Sequence, residues 1–128
     1  MEKKINILIV DDEEGYRDLF TYMLEPMGIM TTCVGDGFQA LKKIEEKPYD
    51  LIFMDVHMPG MTGLETLKKI RGFRPEQKVA IFSSSSDPER SLEKQAEKEG
   101  VTECLFKPVE DKDIYRILKK MLGVEFNS

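Results

Sequence analysis

The sequence predicts an α/β domain built on an open parallel sheet with helices covering both faces. Two observations carry that prediction. Five short apolar runs recur along the chain: Ile5 to Val10, Thr31 to Val34, Leu51 to Met54, Val79 to Phe82 and Glu103 to Phe106. Three of them are almost unbroken hydrophobes, the composition of strands buried on both faces rather than one. The segments that follow the runs repeat their apolar residues at steps of three and four, the period of a helix. Strand and helix thus alternate five times, which calls for parallel strands joined by helical crossovers.

Each element has its own signal. After the first strand, Tyr16, Leu19, Phe20, Met23, Leu24 and Met27 place one apolar stripe on a helix that Gly28 ends, because glycine accepts the left-handed conformation of a helix stop. Phe38, Leu41 and Ile44 form the stripe of the second helix, and Leu64, Leu67 and Ile70 that of the third. Asp87 to Gly100 has the ends of a fourth helix, with Asp87 to cap it, Pro88 at the first helical position and Gly100 at the stop. Its interior offers only Leu92 and Ala96 as apolar anchors. A loosely held helix is expected there, since packing of an apolar face supplies most helical stability. Ile114, Ile117, Leu118, Met121 and Leu122 mark the fifth helix.

Bulk properties narrow the function. A chain of 128 residues can bury roughly two-thirds of its unfolded surface in one core, and no linker or repeat divides it. A net charge of −5, with Lys and Arg interspersed among Glu, leaves no basic footprint for nucleic acid or for an anionic membrane. Cys33 and Cys104 lack metal-ligand spacing, and one pair is too few for a disulfide scaffold, so a reducing cytoplasm is the expected setting. No apolar run approaches membrane length and no signal peptide is visible after Met1. A cytoplasmic protein with no membrane partner is expected.

In open parallel sheets, ligands bind outside the carboxyl ends of the strands, where the strand order reverses. The residues following the five runs are Asp11-Asp12-Glu13, Gly35-Asp36-Gly37, Asp55, Ser83 to Ser86, and Lys107-Pro108. Carboxylates, hydroxyls and one amine would thus share a rim. Carboxylates that close together repel one another unless a cation joins them, and a hard divalent ion such as Mg²⁺ suits oxygen ligands supplemented by water and phosphate. A phosphoryl group could then approach Asp55, whose carboxylate can act as a nucleophile toward phosphorus and give an aspartyl phosphate. Lys107 and a serine hydroxyl are the expected partners of the equatorial oxygens. Taken alone, Asp12 or Glu13 would read as a turn former or helix cap; their occurrence beside Asp55 and Lys107 at the strand ends favours the site.

The sequence resembles a response-regulator receiver domain of two-component signalling. The motifs are IVDDEE for the acidic pair, FMDVHMPGMTGLE around the acceptor, VAIFSS for the hydroxyl strand and LFKP for the lysine. The resemblance implies a flavodoxin-like (βα)5 three-layer sandwich with strand order 2-1-3-4-5. It implies Asp55 as phosphoacceptor, Asp11, Asp12, Asp55 and the backbone carbonyl of His57 as Mg²⁺ ligands, and Ser83 and Lys107 as phosphoryl-binding groups. The bond between Lys107 and Pro108 is commonly cis in that family. One position departs from its pattern: Cys104 stands three residues before the lysine, where an aromatic switch residue is usual.

By this resemblance a sensor histidine kinase is the phosphodonor, docking on Gly15, Tyr16, Leu19 and the Pro108 loop. Output passes to a downstream target protein or onward to a phosphotransferase. Residues 1–123 would form the receiver and 124–128 a short tail without an output domain, the protein catalysing its own phosphorylation and slow dephosphorylation rather than serving as an enzyme. His57 and Ser85 would tune hydrolysis. Two alternatives stand beside this reading. A small aspartyl-nucleophile phosphatase of the haloacid-dehalogenase kind wants a second carboxylate two residues after the nucleophile, where this chain has His57. A degenerate receiver used only as a binding module would not need the intact acidic pair and lysine.

Overall fold

The computed structural model describes residues 4–83 and 91–124, with Leu92 by its backbone only. Five parallel strands, β1 (Asn6–Val10), β2 (Met30–Val34), β3 (Leu51–Asp55), β4 (Val79–Ser83) and β5 (Glu103–Phe106), form one sheet in the order β2-β1-β3-β4-β5. Helices α1 (Glu14–Leu24), α2 (Gly37–Glu46), α3 (Gly63–Phe73), α4 (Ser91–Lys98) and α5 (Asp111–Leu122) follow the strands in turn. This is the flavodoxin-like three-layer sandwich with the expected strand order.

The alternation of side chains along the strands feeds two cores. Leu8, Val10, Ile52, Met54 and Ile81 face one side and pack with Ala40, Ile44, Leu67, Ile70 and Ala96 of α2, α3 and α4. Ile7, Ile9, Phe53, Phe82 and Leu105 face the other and pack with Phe20, Leu24, Ile114 and Ile117 of α1 and α5. The rings of Phe20, Phe53 and Phe82 meet at 5.0 to 5.8 Å between centroids. Phe82 pairs in register with Asp55, so this aromatic cluster underlies the rim on the α1 and α5 side.

Three expectations need correction. The first helix does not run unbroken to Gly28: α1 stops at Leu24, and Pro26 lies in a 3₁₀ turn, Glu25–Met27, that Gly28 closes at φ 77°. Pro26 has no N–H to donate to an α-helical ladder. Phe38 does not face the core, being 65% exposed; Gly37, Ala40 and Ile44 are buried in its place. A Cβ on Gly37 would stand 2.1 Å from Thr66 Oγ1, so α2 approaches α3 too closely for a large side chain. Asp55 does not follow β3 but is its last residue. The Asp87 cap and Pro88 lie outside the described residues. Gly100 has the left-handed φ of 87° expected of a stop, and Ala96 is the one fully buried side chain described on α4.

Candidate functional site

The strand order reverses between β1 and β3, and the acidic residues gather there. Backbone hydrogen bonds continue past the strand ends, from Asp11 N to Val34 O at 3.2 Å, Val56 N to Phe82 O at 3.0 Å and Lys107 N to Ser83 O at 3.0 Å. The ladder therefore carries the loops out together, with Asp11, Asp55, Ser83 and Lys107 at one edge of the sheet.

Two aspartates fix their own loops in the same way. Asp11 Oδ1 accepts from the Glu13 peptide N–H at 2.9 Å, and Asp55 Oδ1 from that of His57 at 2.8 Å. Each is a turn in which a short side chain replaces a backbone acceptor two residues on. The loop after Asp55 turns back sharply: Gly60 has φ 78°, and Gly63 opens α3 against the strand end. A Cβ on Gly63 would lie 2.2 Å from the Asp55 carbonyl oxygen and 2.6 Å from Val56 Cα. Thr62 caps α3 by accepting from Glu65 N at 3.1 Å, while Glu65 accepts from Thr62 N at 3.2 Å.

Asp11, Asp12, Glu13 and Asp55 each offer a carboxylate oxygen within 4.8 Å of the others. Asp11 and Asp55 are buried, at 0% and 3% exposure, while Asp12 and Glu13 are open to solvent. The Lys107 ammonium lies among them, 3.0 Å from Asp55 Oδ2, 3.0 Å from Glu13 Oε1 and 3.1 Å from Asp11 Oδ2. It also sits 4.2 Å from the centroid of the Tyr16 ring, within reach of a cation–π attraction. Burial alone would lower the Lys107 pKa, but the hydrogen bonds it donates to Asp55, Glu13 and Asp11 outweigh it and hold the ammonium above its usual range. Burial raises the Asp11 carboxyl most, and the nearby Asp55 charge adds to it; the Glu13 peptide N–H and Lys107 oppose that rise without cancelling it.

A divalent cation fits this donor set. All four side chains are hard oxygen ligands. The enclosed Asp11 Oδ2 faces the ammonium but makes no hydrogen bond among the described residues, which leaves a buried acceptor for a further positive charge. The His57 ring is solvent-exposed.

Ser83 is buried at the end of β4, one register step beyond the partner of Asp55. Ser84 to Ser86 lie outside the described residues. The Lys107–Pro108 bond is cis. Cys104 is half-buried and packs against the core cluster that contains Ile81. Two contacts of the site were not foreseen from sequence. Glu13 occupies the N-cap position of α1 by its backbone, but its side chain makes no capping hydrogen bond and goes to Lys107 instead. Tyr16, expected on the docking surface, also lies against the ammonium. Position in the sequence makes Glu13 look like a cap; only the approach of the Lys107 loop, 94 residues away, redirects it. Asp36, at the end of the second run, is the N-cap of α2, accepting from Gln39 N at 2.8 Å.

Comparison with known proteins agrees with this architecture. Residues 7–119 match the family described as response regulator receiver domain. The chain is 32% identical over 121 residues to the transcriptional regulatory protein ZraR of Klebsiella oxytoca, covering 94% of this chain and 27% of that protein. It thus spans just over a quarter of such relatives' length. A CheY-like receiver domain from Methanospirillum hungatei JF-1 superposes with a TM-score of 0.87 at 27% identity, over 94% of this chain and 95% of its own. The chemotaxis protein CheY4 of Vibrio cholerae superposes at 0.84 and 27% identity, over 94% of this chain and all of its own. No helix among the described residues is long and apolar enough to cross a membrane.

Proposed function

The chain belongs to the response-regulator receiver family, and we propose that it takes a phosphoryl group from the phosphohistidine of a sensor histidine kinase onto Asp55, in a magnesium-dependent reaction. The observation that carries this reading is the placement of Asp55, buried at the switch point, among a lysine ammonium and three further carboxylates.

Asp11, Asp12, Asp55 and the His57 carbonyl would hold Mg²⁺. When bound, the ion supplies positive charge that offsets the carboxylates and the incoming phosphoryl oxygens. The His57 peptide N–H orients the Asp55 carboxylate through Oδ1. In the transfer, a bond forms between an Asp55 oxygen and phosphorus as the phosphorus–nitrogen bond of the donor breaks, the imidazole keeping the electron pair and taking a proton. Lys107 then stabilises a phosphoryl oxygen in a site already shielded by the aromatic floor. The Ser83 hydroxyl serves another of those oxygens. The donor domain docks around Gly15, Tyr16, Leu19 and the Pro108 loop, beside the mouth of the site. Output follows by contact with a target protein or by onward phosphotransfer.

Incubation with acetyl phosphate and Mg²⁺, read by intact mass, tests the proposal without a cognate kinase. A gain of one phosphoryl group in the wild type and none in Asp55→Ala is expected. Labelling that survives Asp55→Ala would assign the acceptor elsewhere.

A further inference from the structure

The hydrogen bonds of Lys107 can be counted. An ammonium has three protons to donate, and three carboxylates accept them, Asp11 through Oδ1 at 3.4 Å, Glu13 through Oε1 at 3.0 Å and Asp55 through Oδ2 at 3.0 Å. A phosphoryl oxygen can be served only if one of those bonds is released. The three partners are not equivalent. Asp11 is wholly enclosed, and a Mg²⁺ shared with Asp12 and Asp55 would offset its buried charge only in part, so releasing the ammonium there is costly. Asp55 is the group being modified, and its 3.0 Å bond brings the ammonium to the reacting centre. Glu13 is the exposed partner, with 58% of its side chain open to solvent. Water can replace the lysine there at little cost. Its side chain makes no capping hydrogen bond in α1. The Tyr16 ring faces the ammonium from a further side, 4.2 Å from its centroid.

Resting on the reading of Asp55 as phosphoacceptor, we infer that Glu13 is the exchangeable partner of Lys107: its carboxylate occupies in the resting protein the donor that the phosphoryl oxygen takes over, and so opposes donors in proportion to their negative charge. Glu13 is a positioning residue in this scheme. It forms no bond to phosphorus and acts through Lys107 and through the field at the mouth. A unit charge about 4 Å away in a solvated setting interacts by about 1 kcal/mol, or roughly a fivefold change in binding.

The test compares wild type with Glu13→Gln at saturating Mg²⁺, using two small donors of different charge, acetyl phosphate and phosphoramidate, the latter carrying one negative charge less. Labelling of Asp55 is followed by intact mass over a range of donor concentrations. In Glu13→Gln the half-saturating concentration of acetyl phosphate is expected to fall about threefold to tenfold, and that of phosphoramidate distinctly less. A merely structural role would shift both donors alike, and equal shifts, or none, overturn the inference while leaving the acceptor assignment intact. Failure of the wild type to label at all would instead remove the underlying reading, and this inference with it.

Discussion

Asp11 carries the strain of the site at the scale of single residues. It is fully buried, its carboxyl is pushed up by burial first and by the Asp55 charge in addition, and Lys107 compensates it only in part. A carboxyl with a higher pKa in the folded than in the unfolded chain binds more protons when folded. Its contribution to stability is therefore present at low pH and lost as pH rises through the folded value. In EDTA, titrating from neutral pH down toward the ordinary carboxylate range should stabilise the wild type at this group, and Asp11→Asn should flatten that slope. Urea midpoints across that range measure the difference; equal slopes in the two proteins would contradict it. Sequence alone indicated that Asp11, Asp12, Asp55, Ser83 and Lys107 stand at one rim of the sheet, because residue types at strand ends are readable once the strands are. It missed the bond of Glu13 to Lys107 and the ring of Tyr16 beneath the ammonium, because both depend on where β5 returns relative to the start of α1.

Individual elements set how the acceptor is presented. α3 begins at Gly63 directly against the end of β3, and Thr62 with Glu65 closes its first turn. Gly63 is required by proximity rather than by its dihedral angles, since any Cβ would collide with the backbone at Asp55 and Val56, which cannot rotate away. Gly63→Ala should thus cost roughly 2 kcal/mol or more in urea unfolding and depress labelling of Asp55. Unaltered stability with normal labelling would show that the loop has more room than the structure gives it. The alternation of strands and helices was legible because buried parallel strands are apolar throughout and covering helices keep a 3.6-residue period. The inward face of α2 was not. Phe38, Leu41 and Ile44 satisfy the helical period, yet Thr66 of α3 and Met61 just before it come so close that only a glycine fits at position 37, and Ala40 and Ile44 are buried while Phe38 is exposed. Hydrophobicity indicates which residues favour burial, and interhelical distance decides which of them fit.

For the whole molecule, the site lies at one end of a sheet whose two cores differ in how they hold their helices. α5 buries Ile114, Ile117 and Leu118, whereas α4 buries Ala96 alone among its described side chains. Opening free energies follow such packing, so the amides of 91–98 should exchange faster than those of α5. Addition of Mg²⁺ with fluoroberyllate, an analogue of the phosphorylated aspartate, should change exchange in α4 more than in α5; unchanged protection in α4 would separate that helix from the response. Cys104 stands at the strand next to this helix, where the family's aromatic switch is usual, so a response in α4 would have to travel by packing around β4 and β5 rather than by rotation of a ring at that position. The account as a whole rests on an acyl phosphate at one aspartate. After incubation with acetyl phosphate and Mg²⁺, borohydride reduces an aspartyl phosphate to homoserine, and peptide mass spectrometry locates the reduced residue. Homoserine at position 55 alone is the predicted result; homoserine at another carboxylate, or none in protein that has gained a phosphoryl group, would contradict it.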